Sequence, residues 1–347
     1  MTTPINRHLP GLEPYVPGEQ PVEPGWIKLN TNENPHPPAP EVSEVVRSFG
    51  PDCARLYPPP ESPALRRAIA ETLDWPAEGI MITNGSDEAL RLVAHSYLNA
   101  GDAVGMLWPT YSYYPLLGAM FGATAKQSQV GRSGQWPAQF DLDGVRVFFL
   151  ANPNPPYGTF YSAHIAEEVV ASHSDVLFVI DEAYVEFAGD DCLSLLRRHE
   201  NALIVRTFSK SHALAGLRVG FIMARPEQLR PLQIVRDSYN VNAISQLAGL
   251  AAWKAREYYQ RRTAGIIETR ETTARRLAQL GFDILPSGAN FIFARHGEAA
   301  RLFSELRERK ILVRYFAPPP THDGLRITIG LPEQMDALIA AVSRLCG

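Results

Sequence analysis

At 347 residues the chain has room for two domains, and 45% apolar with 20% charged residues is an ordinary globular composition. A formal net charge of −4 provides no basic field for nucleic acid or an anionic membrane. The longest apolar runs, such as Val176–Ile180, are far short of a membrane span, and the opening MTTPINRHLP lacks the pattern of a signal peptide. Three cysteines, Cys53, Cys192 and Cys346, form neither an even framework nor a CxxC pair. A cytoplasmic location is therefore expected.

Fourteen of the 29 prolines lie in residues 1–60, so the chain should open as an extended arm with turns. A short helix is expected at Glu41–Phe49 and an amphipathic one at Ala64–Leu73. "IMIT" (80–83) reads as a strand, and "GSDEALRLVAHSYL" opens a helix. Then come the short apolar runs "AVGML" (103–107), "VFFLA" (147–151), "VLFVI" (176–180), "LIVRTF" (203–208) and "VGFIMA" (219–224). Helical patterns such as Ala163–His173 separate several of them. Continuous apolar strands alternating with helices predict a mostly parallel sheet covered on both faces, with ligands at the strands' carboxyl ends. Beyond it a helical stretch from Asn242 to Leu280, broken near Gly265, leads to mixed strands and helices at Glu298–Lys310 and Pro332–Leu345. The expected fold class is α/β, a large domain with a mostly parallel sheet plus a smaller α+β domain. The divisions fall at 1–40 for the arm and part of the small domain, 41–245 for the large domain and 246–347 for the small one.

Only five lysines stand against 28 arginines. Lys254 and Lys310 sit on helical stretches, and Lys28 and Lys126 among turns. Lys210 follows the strand "LIVRTF" directly, where burial would depress its pKa and suit it to condense with an aldehyde. The plainer alternative is a lysine reaching out of a loop. Asp181 ends the run "VLFVI". One reading is a magnesium-holding acid of a nucleotide hydrolase, which wants a GxxxxGK[ST] loop that the sequence lacks. The other is a carboxylate paired with a protonated pyridine nitrogen, with Tyr184 near the same ring. Asp181 and Lys210 are 29 positions apart, about one strand–helix–strand unit. Gly85 and Ser86 end a strand and start a helix, which makes either an anion site or a plain cap. Arg218 adds a fixed positive charge that suits a phosphate. An aldehyde, a pyridinium and a phosphate together describe pyridoxal 5'-phosphate. The nine histidines form no HExxH-like cluster, so no metal is expected.

The sequence resembles the fold-type-I, pyridoxal-phosphate-dependent aminotransferases, and among them the histidinol-phosphate aminotransferase branch. The motifs run in family order: "LNTNENP" (29–35), "LYPPP" (56–60), "NGSDEA" (84–89), "WPTYSYY" (108–114), "NPNPPYG" (152–158), "DEAYVEF" (181–187), "TFSKSHALAGLRVGF" (207–221), "GANFIF" (288–293) and "LRITIG" (325–330). The resemblance implies that Lys210 carries the cofactor, Asp181 pairs its ring nitrogen and Tyr184 lies near its ring hydroxyl. Tyr111 would stack on the ring. Gly85, Ser86, Asp87, Thr207, Ser209 and Arg218 would form the phosphate cup. Tyr57 would reach the partner subunit's cofactor, which implies a homodimer with shared sites. Arg326 matches the substrate-carboxylate arginine, and Arg314 the substrate phosphate site. Tyr15, Asn30 and Asn290 are likewise implied to bind substrate.

One loop departs from the family. The usual N-P-N-N-P-T-G places an asparagine facing the ring hydroxyl where this chain has Pro155, and Tyr157 replaces the threonine. Asn154 or Asn152 would have to stand in, or Tyr184 would act alone. The expected reaction moves an amino group from a small-molecule donor such as histidinol phosphate to a 2-oxo acid such as 2-oxoglutarate. The alternatives are a threonine-phosphate decarboxylase-like lyase and an aromatic or broad-specificity aminotransferase. A cofactor-binding regulator is disfavoured because no DNA-binding segment fits in the chain.

Overall fold

The computed structural model describes residues 5–346. A seven-stranded sheet lies at its centre, in the spatial order 80–83, 220–223, 202–207, 177–181, 145–151, 103–108 and 124–129. Gly220–Met223 runs antiparallel to both neighbours, and the other six strands share one direction. The middle strands read as unbroken apolar runs because both faces are covered. Alternate residues feed two cores: Phe148, Ile180 and Ile204 enter one, and Phe149, Val179 and Val205 the other.

The edge strand Thr124–Gln129 was not legible in sequence. It is polar and largely exposed, and full register with Ala103–Trp108 holds it. Lys126, expected among turns, lies in this strand and pairs with Asp141 at 2.8 Å. A lysine there discourages further strands from adding to the edge.

A second, antiparallel sheet has the order 314–315, 324–328, 291–295 and 283–284. Its core includes Leu29, Ile292, Leu302, Ile327 and Leu338. The arm joins this layer, since Ile27–Lys28 pairs with Ile311–Leu312. The helical stretch after Asn242 breaks at Ala255, between Ala243–Lys254 and Arg256–Gln279. The break expected at Gly265 does not occur. Gly265 sits mid-helix with open space where a side chain would lie, so it is tolerated there. The helix Ala243–Lys254 runs across the expected division at 245, and beyond that point its Ala248, Ala252 and Trp253 pack into the large-sheet core.

Residues 29–34 bridge the two layers. The Thr328 N–H donates to the Leu29 carbonyl at 3.0 Å, and the Asn34 amide donates to the Lys210 and Ser211 carbonyls, each at 3.0 Å. Thus the arm is tied both to the small sheet and to the segment that follows a central strand.

Gly220 begins the antiparallel strand under the turn at Gly85. A Cβ there would meet Gly85 C at 2.8 Å, with Arg206 O and Ser86 N at 2.9 Å. All three are backbone atoms and cannot swing aside. Gly220→Ala is expected to lower the stability of the cofactor-free protein by about 1–3 kcal/mol, read by urea denaturation. An unchanged midpoint would show that the turn yields freely.

Candidate active site

The carboxyl ends of the parallel strands open into a cleft of about 400 Å³. Lys210 lines it, three residues past the strand Ala202–Thr207. Its Nζ donates to the Thr31 carbonyl at 3.3 Å and lies 5.7 Å from the centre of the Tyr184 ring. Burial lowers its pKa most, and the Arg326 guanidinium lowers it further, to about 8. Desolvation disfavours the ammonium, and a nearby cation disfavours it again.

Asp181 ends the neighbouring strand and is 6% exposed. Its Oδ2 accepts the Tyr114 hydroxyl at 2.8 Å, and its Oδ1 accepts the Ala183 N–H at 3.2 Å. Burial raises its pKa to about 6, against the lowering effect of the Tyr114 bond. Tyr184 accepts a 2.9 Å hydrogen bond from the Asn32 amide and packs edge-on against Phe291.

Gly85 begins the helix Gly85–Tyr97, with Asn84 rather than Ser86 as its cap residue. The first N–H groups of a helix have no partner within it. Arg218 lies over this turn so closely that a Cβ on Gly85 would be 2.5 Å from its Nη2. Its guanidinium donates to Ser209 Oγ at 3.3 Å and to Asp87 at 3.2 Å. Arg218 itself has φ +52°, a left-handed backbone unusual for a residue with a Cβ. Ser209 is fixed in turn by Thr207, whose hydroxyl lies 3.0 Å from Ser209 Oγ. Tyr111 donates to the other Asp87 oxygen at 3.3 Å.

Two arginines stand elsewhere on the cleft wall. Arg326 donates to the Asn30 carbonyl at 2.7 Å, and Arg314 to the Val16 carbonyl at 3.3 Å. The Arg326 Nε is buried without a partner, so this guanidinium retains a donor for a ligand. Tyr15, on the arm, meets the Tyr111 ring edge-on at 5.5 Å. Asn30 is held by its bond to the Glu19 carbonyl at 2.9 Å.

Of the expected residues, Gly85, Asn152, Asn154, Asn290 and Tyr57 do not line the cleft. Asn154 is fully buried, accepting from the Thr110 hydroxyl at 2.6 Å and donating to the Pro109 carbonyl at 2.8 Å. Its amide is occupied in shaping the loop, so of the three alternatives at this position Tyr184 is the group that lines the cleft. Asn152 is similarly engaged with the Tyr161 backbone. Pro155 lines the cleft instead. Asn290 donates to the Asn32 carbonyl at 3.0 Å and so reaches Tyr184 only through Asn32. Tyr57 is 80% exposed and stacks on Tyr239 at 4.4 Å, away from this chain's cleft. Residues that the sequence reading missed are Thr31, Asn32, Glu33, Phe316 and above all Tyr114. Thr31, Asn32 and Glu33 lay inside the quoted motif "LNTNENP", but their partners are remote in sequence.

The arrangement fits pyridoxal phosphate. It offers an amine of lowered pKa, a buried carboxylate, and a helix start at Gly85, whose φ of +78° favours glycine, directly beneath a guanidinium. Among the described residues no group of three or more histidine, cysteine or acidic side chains is placed to hold a metal ion. No described helix is long and apolar enough to cross a membrane.

The family model for aminotransferase class I and II matches residues 24–342. The chain belongs to this family. It is a pyridoxal-phosphate-dependent transaminase of fold type I, and it is similar to histidinol-phosphate aminotransferases. The protein of that name from Chromohalobacter salexigens is 42% identical over 343 residues, covering 96% of this chain and 97% of its own. The Geobacter sulfurreducens protein of the same name is 38% identical, covering 99% of each. The Sinorhizobium meliloti histidinol-phosphate aminotransferase, solved in complex with pyridoxal-5'-phosphate, has a TM-score of 0.83 at 26% identity, covering 92% of this chain and 90% of its own.

In the cofactor-free transaminase, the rate at which fluorodinitrobenzene labels Lys210 should rise with a midpoint near pH 8. Arg326→Gln removes the neighbouring cation and should move that midpoint upward. A midpoint near the free-lysine value of about 10.4 in the unaltered protein would contradict the burial of Lys210.

Proposed function

We propose that this transaminase moves the amino group of histidinol phosphate to 2-oxoglutarate, in histidine biosynthesis, as a cytoplasmic homodimer. One observation carries the reading. Lys210, Asp181 and the Arg218-capped turn share a single cleft with Arg314 and Arg326, which no cofactor contact requires. The names of relatives at 38–42% identity over nearly the full chain support the choice of donor.

Lys210 would hold the cofactor, with Asp181 at its ring nitrogen, Tyr111 and Tyr184 around its ring, and Ser86, Asp87, Thr207, Ser209 and Arg218 at its phosphate. When bound, pyridoxal phosphate supplies an aldehyde that takes up the amino group and a ring that accepts electrons. Once the donor's amine has replaced it on the aldehyde carbon, Lys210 would be free to take the proton from the amino-bearing carbon of the donor as a base and to deliver it, as an acid, to that former aldehyde carbon. A lysine near the free value would be almost wholly protonated at neutral pH, whereas one near 8 keeps a usable fraction as the amine. Asp181 keeps a proton on the ring nitrogen. Arg314 and Arg326 bind the donor's phosphate in one half-reaction and the acceptor's carboxylate in the other, since both anions accept paired N–H bonds. The arm residues Tyr15 and Asn30 close that side of the cleft. Exposed Tyr57 serves the site of the second subunit.

Lys210→Ala is expected to abolish the visible absorbance of bound cofactor, and unchanged colour would refute the site. In a screen of amino donors with 2-oxoglutarate, histidinol phosphate should give the highest kcat/KM. Release of carbon dioxide from threonine phosphate without an oxo acid would instead establish a lyase. Arg326→Ala should raise KM for glutamate roughly 10- to 100-fold, the loss of charge-assisted hydrogen bonds.

A further inference from the structure

We infer that Tyr114 is a positioning residue for the reaction: its hydroxyl fixes one oxygen of Asp181 and keeps that carboxylate ionised and aimed at the ring nitrogen. The inference rests on the reading that Asp181 meets the cofactor's nitrogen.

The geometry is rigid. Tyr114 is fully buried at the start of the helix Tyr113–Met120. Its ring stacks on Phe149 of the central sheet, with centroids 4.9 Å apart and an angle of 13°. Tyr111 meets it edge-on at 5.6 Å. The ring therefore cannot turn, and its hydroxyl stays 2.8 Å from Asp181 Oδ2. The Ala183 N–H holds Oδ1 at 3.2 Å, so both oxygens are pinned and the plane of the carboxylate is set.

The charges agree with the geometry. Burial and the neighbouring Asp181 push the Tyr114 phenol well above its ordinary range, so its proton stays on the phenol. Asp181 is faced by like charge from Asp87, on the helix after the anion turn, and from Glu182 beside it. The phenols of Tyr111 and Tyr184 face it as well. Lys210, Arg218 and Arg326 line the same cleft. Among these groups, the Tyr114 hydroxyl gives Asp181 its direct side-chain hydrogen bond. The bond favours the charged form, and burial with Asp87 and Glu182 opposes it. Without it the carboxylate takes up a proton at higher pH, and a protonated acid no longer attracts a pyridinium.

Tyr114→Phe keeps the ring and removes only the hydroxyl. Cofactor-free wild type and variant are titrated with pyridoxal phosphate and with an analogue in which carbon replaces the ring nitrogen. The variant should bind pyridoxal phosphate roughly tenfold more weakly, the effect of one hydrogen bond to a charge. The loss should grow as pH falls from about 8 to about 6, where the carboxylate protonates. Binding of the carbon analogue should match wild type. In an Asp181→Asn background the same substitution should change neither affinity. Equal weakening with both compounds, or no weakening with either, overturns the role. So does a cofactor-free variant that fails to fold, which would assign the hydroxyl to stability. Wild type that binds neither compound would refute the cofactor reading itself, a separate failure.

Discussion

Lys210 stands where its own positive charge is unfavourable, and the rest of the site is arranged around that fact. Burial removes water from the amine, and Arg326 adds a like charge. Glu33 and Asp87 offset part of this, so the amine is poised rather than simply neutral. Asp181 is treated in the opposite sense. It too is buried, but a hydroxyl and a backbone N–H hold its charge in place. Two groups that burial drives toward neutrality thus face one cleft from neighbouring strand ends, and a ligand with complementary ends relieves both.

Such placement needs a stiff frame. The central parallel strands are sealed on both faces and deliver Asp181 and Thr207 to one edge of the sheet. The antiparallel strand Gly220–Met223 sits between Ile80–Thr83 and Ala202–Thr207, which brings Arg218, just before it, over the turn at Gly85. The small sheet supplies Arg314 and Arg326. Residues 29–34 stitch the two layers together, so the Lys210 amine and the Arg326 guanidinium share a common strut.

Much of this was legible in the sequence. Unbroken apolar runs marked the central strands, and the polar residues at their ends marked the cleft. Lys210, Asp181 and Arg218 could be named because each breaks its local pattern where a sheet would present it. Where the local pattern was weak, the sequence misled. Thr124–Gln129 carries no apolar alternation because its register is imposed by one neighbour. Ala255 ends a helix without a marker residue, whereas Gly265, a usual marker, does not. Asn154 looked like a ligand group because its partners, Thr110 and the Pro109 carbonyl, are 44 and 45 positions away. Tyr114 drew no role of its own for the converse reason, since its partner lies 67 positions off. Chemistry that depends on pairing across the fold cannot be read from spacing alone.

The covalent attachment point is the most direct test of this account. Protein loaded with pyridoxal phosphate is reduced with borohydride, digested, and mapped by mass spectrometry. The account predicts a single modified peptide, carrying Lys210, with Lys28, Lys126, Lys254 and Lys310 untouched. Modification at another lysine, or none at all, would contradict it.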